Sequence, residues 1–213
     1  MRLPFTAQAA IWGAAAAFAL TAMPVSAAPY EAGTVLVRLR AVEVLPDFGS
    51  TVSLGAGYKV TGTDTVIPEI DFTYFFDPHW SLELIAGTTK HSLYLNKSVY
   101  IGSAWLLPPT LTVQYHFDQI GPFQPYIGAG INYTLFYDKR GIAGLGKLKA
   151  TDQWGEALQA GFDVPLTEDG KYFLNLDVKK IFVSTHASYT ASAVTANVNV
   201  NPWLIGAGVG ARF

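Results

Sequence analysis

Cysteine is absent, charged residues make up only 14% of the chain, and no uninterrupted apolar run after residue 28 is long enough to cross a bilayer as a helix. An exported soluble domain can staple itself with disulfides, whereas a closed, hydrogen-bonded barrel needs none, so the missing cysteines favour a barrel. With 14 basic against 16 acidic residues, the chain offers nucleic acid no basic footprint. Its four histidines, His79, His91, His116 and His186, are too scattered for metal-ligand spacing, and the glycine-rich stretch 126 to 130 precedes no helix, so no metal or other cofactor is expected. No Asp or Glu follows Asp177. His186 and Ser188 share one strand face, but no downstream carboxylate can orient the imidazole as a base, which argues against an enzyme. The stretch 184 to 201 reads instead as a polar, neutral loop.

What the chain does have is apolar bulk and alternation. Half of its residues are hydrophobic, which without spanning helices leaves either an ordinary buried core or a barrel whose apolar residues point outward. In the final stretch, 202 to 213, Trp203, Ile205, Ala207, Val209, Ala211 and Phe213 alternate strictly with Leu204, Gly206, Gly208, Gly210 and Arg212. A closing strand that ends on an outward aromatic is what an outer-membrane barrel presents to the barrel-assembly machinery, with Phe213 as the signal. At the other end, a basic Met1-Arg2, an apolar run from Ala9 to Leu20 and Val25-Ser26-Ala27 form a signal peptide, 1–27, and leave 28–213 as one barrel domain.

Eight segments alternate in this manner: about 33 to 42, 66 to 76, 80 to 88, 106 to 117, 125 to 137, 153 to 163, 171 to 181, and the last one. Short turns at 77–79, 118–122 and 165–170, rich in Asp, Pro and Gly, alternate with long connections at 43–65, 89–105, 138–152 and 182–202. This predicts an all-β, eight-stranded antiparallel up-and-down transmembrane barrel in a bacterial outer membrane, both termini periplasmic and the long loops outside. Outward Tyr74, Phe76, Trp80, Tyr115, Phe117, Phe162, Tyr172 and Phe213 form one interfacial girdle at the short-turn ends. Tyr133, Tyr137, Trp154 and Trp203 mark the other rim.

Taken together, Leu107-Pro-Pro-Thr-Leu-Thr-Val-Gln-Tyr-His-Phe117, Pro125-Tyr-Ile-Gly-Ala-Gly-Ile-Asn-Tyr-Thr-Leu-Phe-Tyr-Asp138, Asp152-Gln-Trp-Gly155 and Asn201-Pro-Trp203 resemble the OmpW family of small outer-membrane proteins. The likeness covers essentially all of 28–213 and extends to AlkL-like alkane-uptake relatives. It implies an eight-stranded barrel that helps small hydrophobic molecules cross the outer membrane. The first long loop departs from the family pattern, so the identity of the solute is not carried over.

Inward positions divide into two zones. Arg38, Arg40, Glu69, Asp71, Glu83, His116, Asp163, Asp177, Lys179 and Arg212 are expected to pair into a plug, because an eight-stranded bore is only wide enough for its own side chains. Above them, Val42, Ile67, Ile85, Leu106, Pro108, Phe136 and Leu204 form an apolar funnel, open to a hydrophobic solute or simply the packed mouth of the barrel. Pro68, Pro108 and Pro109 each remove a ladder donor, and these are places where the wall could release a solute sideways into membrane lipid. The loop 138–149 carries four basic residues and one acid. Lipopolysaccharide phosphates are the anions available to it, and a solvated loop is the simpler reading. Two functional classes stand: a passive conduit for small hydrophobic compounds, and a closed structural or receptor-like surface barrel.

Overall fold

The structure is a computed structural model that describes residues 30–55 and 57–213; the expected signal peptide, 1–27, lies outside the described residues. Period-two sequence becomes strand throughout. The strands are β1 (Val35–Leu45), β2 (Gly49–Val52), β3 (Val60–Gly62), β4 (Thr65–Phe75), β5 (Trp80–Gly87), β6 (Thr89–Leu95), β7 (Val99–Leu107), β8 (Thr110–His116), β9 (Gln124–Arg140), β10 (Leu148–Ala150), β11 (Gln153–Pro165), β12 (Tyr172–Phe182), β13 (Ser184–Tyr189), β14 (Ser192–Asn199) and β15 (Trp203–Arg212). Eight of them close on themselves in the order β1, β4, β5, β8, β9, β11, β12, β15 and back to β1, every pair antiparallel.

Two sequence expectations change. The segment 106 to 117 is not one strand: the wall strand starts at Thr110, and Val99–Leu107 is separate, because Pro108 and Pro109 bring no N–H to a ladder. The Asn132 side-chain amide donates to the carbonyls of both prolines (3.1 and 3.3 Å) and so binds the break. The long connections are also not simple loops. β6 and β7 form a hairpin on the upper half of β9, with β3 at its edge, while β10, β13, β14 and β2 make a second sheet. The stretch 184 to 201 therefore forms strands, burying Thr185, Ala196, Val198 and Val200 and turning His186 and Asn197 to the exposed side, where their side chains meet at 2.8 Å.

Outward side chains of the barrel are mainly apolar, with Glu43, Glu156 and Lys180 as exceptions, and aromatic rings gather at two levels. At the short-turn end Trp80 lies against Tyr115 (5.1 Å between centroids), Tyr115 against Phe117 (5.1 Å) and Phe123 against Phe162 (5.1 Å). At the other level Tyr133 meets Trp154 (4.7 Å), and Lys180 Nζ sits 4.8 Å over Trp203. Phe213 completes the wall through paired backbone hydrogen bonds with Val35 (2.9 and 3.0 Å).

The barrel core is polar, and the register explains how it fits. Arg38 faces Asp71 and Arg40 faces Glu69 on β4, while on the other flank the same arginines face Gly210 and Gly208 of β15. A Cβ at Gly208 would run into the Leu39 carbonyl and lie 2.8 Å from Arg40 Cγ, and one at Gly210 would run into the Phe173 ring and lie 3.1 Å from Arg38 Cγ. The glycine face of the closing strand makes room for the neighbouring backbone, the Phe173 ring and the arginine stems together. Arg38 then pairs with Asp71 (3.1 Å) and across the bore with Asp163 (2.8 Å). Arg40 meets Asp71 (2.7 Å), Glu83 (3.2 Å), Asp177 (3.6 Å) and Glu69, the last at 3.0 Å as an ion pair not aligned for a hydrogen bond. Lys179 bridges Glu69 (2.8 Å) and Asp177 (2.9 Å).

Neutral donors fill the acceptor sites that cations leave: Tyr126 and Gln159 donate to Asp177, Gln114 to Glu83, Asn175 to Asp163. Two further residues expected in the plug lie nearer the short-turn end: His116 bonds to Ser81 and Gln114 (both 3.1 Å), and Arg212 lies half-buried with its guanidinium 5.4 Å over the Tyr30 ring. Tyr30, Leu36, Phe75 and Phe173 form an apolar cap under the network.

Removing one arginine from such a set leaves several buried carboxylates without a counter-charge. Arg40→Met should therefore destabilise the barrel by about 3–5 kcal/mol, measured as a lower urea midpoint of the heat-modifiable folded band. The filled bore should also give the intact protein low or irregular single-channel conductance in planar bilayers; a large, steady, porin-like conductance would contradict the plug.

Candidate functional site

Above the ionic layer the inward face changes character, and the strands that extend beyond the wall enclose a cavity of about 520 Å³. Its lining includes Phe48 and Val52 around β2, Leu93 and Leu95 of β6, Ile101, Ala104 and Leu106 of β7, Phe136 of β9, Ile142 to Leu145 ahead of β10, and Ala187, Ala196 and Val198 of β13 and β14. Each contributes the apolar face of an alternating strand or a glycine-spaced apolar turn. The polar exceptions are few, and two are occupied: Tyr189 donates to the Ile101 carbonyl (2.8 Å) and Thr185 to the Thr151 carbonyl (2.9 Å). A volume in this range suits a small organic molecule.

A second space, about 50 Å³, lies between this vestibule and the ion pairs. Ile67, Ile85, Leu106, Pro108 and Leu204 line it together with Thr110, Asn132, Thr134, Glu69 and Lys179. Of the seven residues expected to form the funnel, these five therefore meet around the smaller space. Leu106 and Phe136 reach the vestibule, and Val42 lines neither, being buried in the apolar cluster with Val44 and Leu204. His91, Leu106 and Val200 line both spaces and form the neck between them.

The wall changes at this height. The β4–β5 ladder stops at Glu69–Gly87, and Pro68 sits one residue beyond it. Past that point β4 pairs with β1, whereas the chain leaving β5 resumes as β6 against β7. His91 spans the change, with Nδ1 2.8 Å from the Thr63 carbonyl just ahead of β4.

Most of the vestibule lies in segments that the sequence offered as loops, and its lining was missed for that reason. A usable signal existed in the alternation of Thr185, Ala187 and Tyr189 and of Ala196, Val198 and Val200. Tyr30 was missed as well. Its hydroxyl lies within hydrogen-bond reach of Gln124 Oε1 (2.7 Å) and Asp163 Oδ2 (3.2 Å), and its ring packs tilted against Phe75 with centroids 4.3 Å apart, sealing the short-turn end.

Comparison with known proteins agrees with this architecture. Residues 31–213 match the model of the OmpW family. The chain is 42% identical over 208 residues to "Uncharacterized outer-membrane protein y4mB" of Sinorhizobium fredii, covering 93% of this chain and 90% of the relative. It is 34% identical to outer membrane protein W of Vibrio cholerae, covering 95% and 98%. Among solved structures, OprG of Pseudomonas aeruginosa superposes with a TM-score of 0.81 at 30% identity, covering 88% of this chain and 99% of that one. An eight-stranded barrel with a filled bore, matched in sequence and in fold over nearly its whole described length, belongs to the OmpW family of outer-membrane proteins.

Proposed function

We propose that the protein is a passive conduit for small hydrophobic molecules, which collect in the apolar vestibule on the extracellular side and leave sideways into the bilayer. The observation that carries this reading is the pairing of a 520 Å³ apolar cavity with a bore closed by ion pairs directly below it. A hydrophobic solute gains from entering the first space and gains nothing from the second. Passing straight through would mean separating buried ion pairs at several kcal/mol per ion. The end of the β4–β5 ladder near Pro68 and Gly87 lies at the height of the neck and offers the lower-energy exit. One relative, 29% identical over 163 residues, bears the name "Dibenzothiophene metabolism operon protein PahQ", and an apolar aromatic compound of that size is compatible with the vestibule.

In the same reading residues 1–27 direct export, Phe213 is read during barrel assembly, both termini face the periplasm, and outer-membrane lipid surrounds the two girdles. The basic stretch 138–149, which runs from the end of β9 into β10, then stands at the height of lipopolysaccharide phosphates.

Transport should depend on the neck. Leu106→Glu would put a charge where both spaces meet, and desolvating it there is costly. In cells expressing equal amounts of folded protein, uptake of a hydrophobic probe such as naphthalene should fall about tenfold or more, with no change for a small polar control solute. Uptake by the variant as fast as by the parent would favour a closed surface barrel without transport.

A further inference from the structure

His91 is buried and, with Leu106 and Val200, lines both the vestibule and the smaller space, which puts it on the path of the conduit proposed above. Its hydrogen bonds fix its tautomer. Nδ1 lies 2.8 Å from the Thr63 carbonyl, which can only accept, so Nδ1 carries the proton and Nε2 of the neutral ring presents a lone pair. The neighbour of Nε2 is the Thr89 hydroxyl at 3.3 Å, a long contact, and Thr89 lines the smaller space. An acceptor and a hydroxyl thus stand side by side in an otherwise greasy constriction. That pair matches a single alcohol group, which can donate to Nε2 while accepting from Thr89.

We propose that His91 is a specificity-determining residue and that the preferred solute is an apolar molecule bearing one hydroxyl, such as an aromatic alcohol. The assignment rests on the conduit reading above. A bare hydrocarbon leaves the His91–Thr89 contact intact and gains only burial. A carboxylate is turned away twice, since its charge is costly in the vestibule and its oxygens meet the Nε2 lone pair. A hydroxyl replaces a long hydrogen bond with two well-formed ones, and a net hydrogen bond of this kind corresponds to a preference of about fivefold.

Acid should abolish the preference, because an imidazolium has no acceptor to offer. Burial holds the His91 ring below the ordinary histidine range, against the opposing pull of the Thr63 carbonyl and the Asp64 carboxylate. The other charged groups around the neck are Glu69 and Lys179, which line the smaller space and are paired to each other.

The test measures protein-dependent uptake of 1-naphthol and naphthalene in a deletion strain re-expressing the parent, His91→Leu or His91→Gln, each confirmed as folded by heat-modifiability. The naphthol-to-naphthalene ratio should fall about fivefold in His91→Leu and be largely restored in His91→Gln, whose amide keeps an acceptor. In the parent, the ratio should persist down to the ordinary histidine range and drop only in more acidic medium. A ratio unchanged by His91→Leu, with naphthalene still entering, overturns the role of His91 and leaves the conduit standing. No protein-dependent uptake of either probe by the parent overturns the conduit and this assignment with it.

Discussion

A backbone amide in hydrocarbon has no water to bond, so a sheet that crosses a membrane must return to its own first strand. The rest of this molecule follows from that requirement. Closure between β15 and β1 brings β11 across from β1, and without it Arg38 could not reach Asp163, 125 residues away. Closure also confines irregular backbone to the upper end, where side chains can answer for it. The two adjacent prolines stand where Asn132 caps their carbonyls, and the ladder that stops at Gly87 stops at a level served by the β6–β7 hairpin.

The lumen obeys a second constraint, of volume. Two arginines side by side on one strand fill most of an eight-stranded bore, and the neighbouring closing strand gives way with glycines at the facing positions. The carboxylates outnumber the cations that pair with them, and amides and phenols supply the remaining donors. Layers result: an apolar cap that includes Tyr30, an ionic middle, and an apolar top.

How much of this the sequence disclosed depended on whether two solvents lay on either side of a strand. Where lipid faced one side and a polar lumen the other, as around Phe72 and Asp71 or Val113 and Gln114, period two was plain and the wall could be counted. The register then made Arg38–Asp71 a neighbour pair, but partners across the bore, such as Asp163, emerge only after closure. In the strands beyond the wall one face meets water and the other a small cavity, and Ser, Thr, Asn and Ala serve both. Residues 184 to 201 therefore looked like a loop. Of the neck, Leu106 was legible and His91 was not, for the same reason: His91 gains its place from the Thr63 carbonyl, which no local pattern connects to it.

β9 runs unbroken for 17 residues, paired with β8 and β11 in its lower part and with β7 above. At about 3.4 Å per residue and a tilt near 45°, such a strand rises roughly 40 Å along the membrane normal, against an apolar band of about 25 Å. One rod is thus embedded in the membrane at one end and builds the chamber at the other. The chamber holds a set orientation to the lipid surface, as a mast holds its top at a constant bearing to the deck. Hairpins with such a stem could vary freely at their tips, generation after generation, while the opening below them kept the same aim.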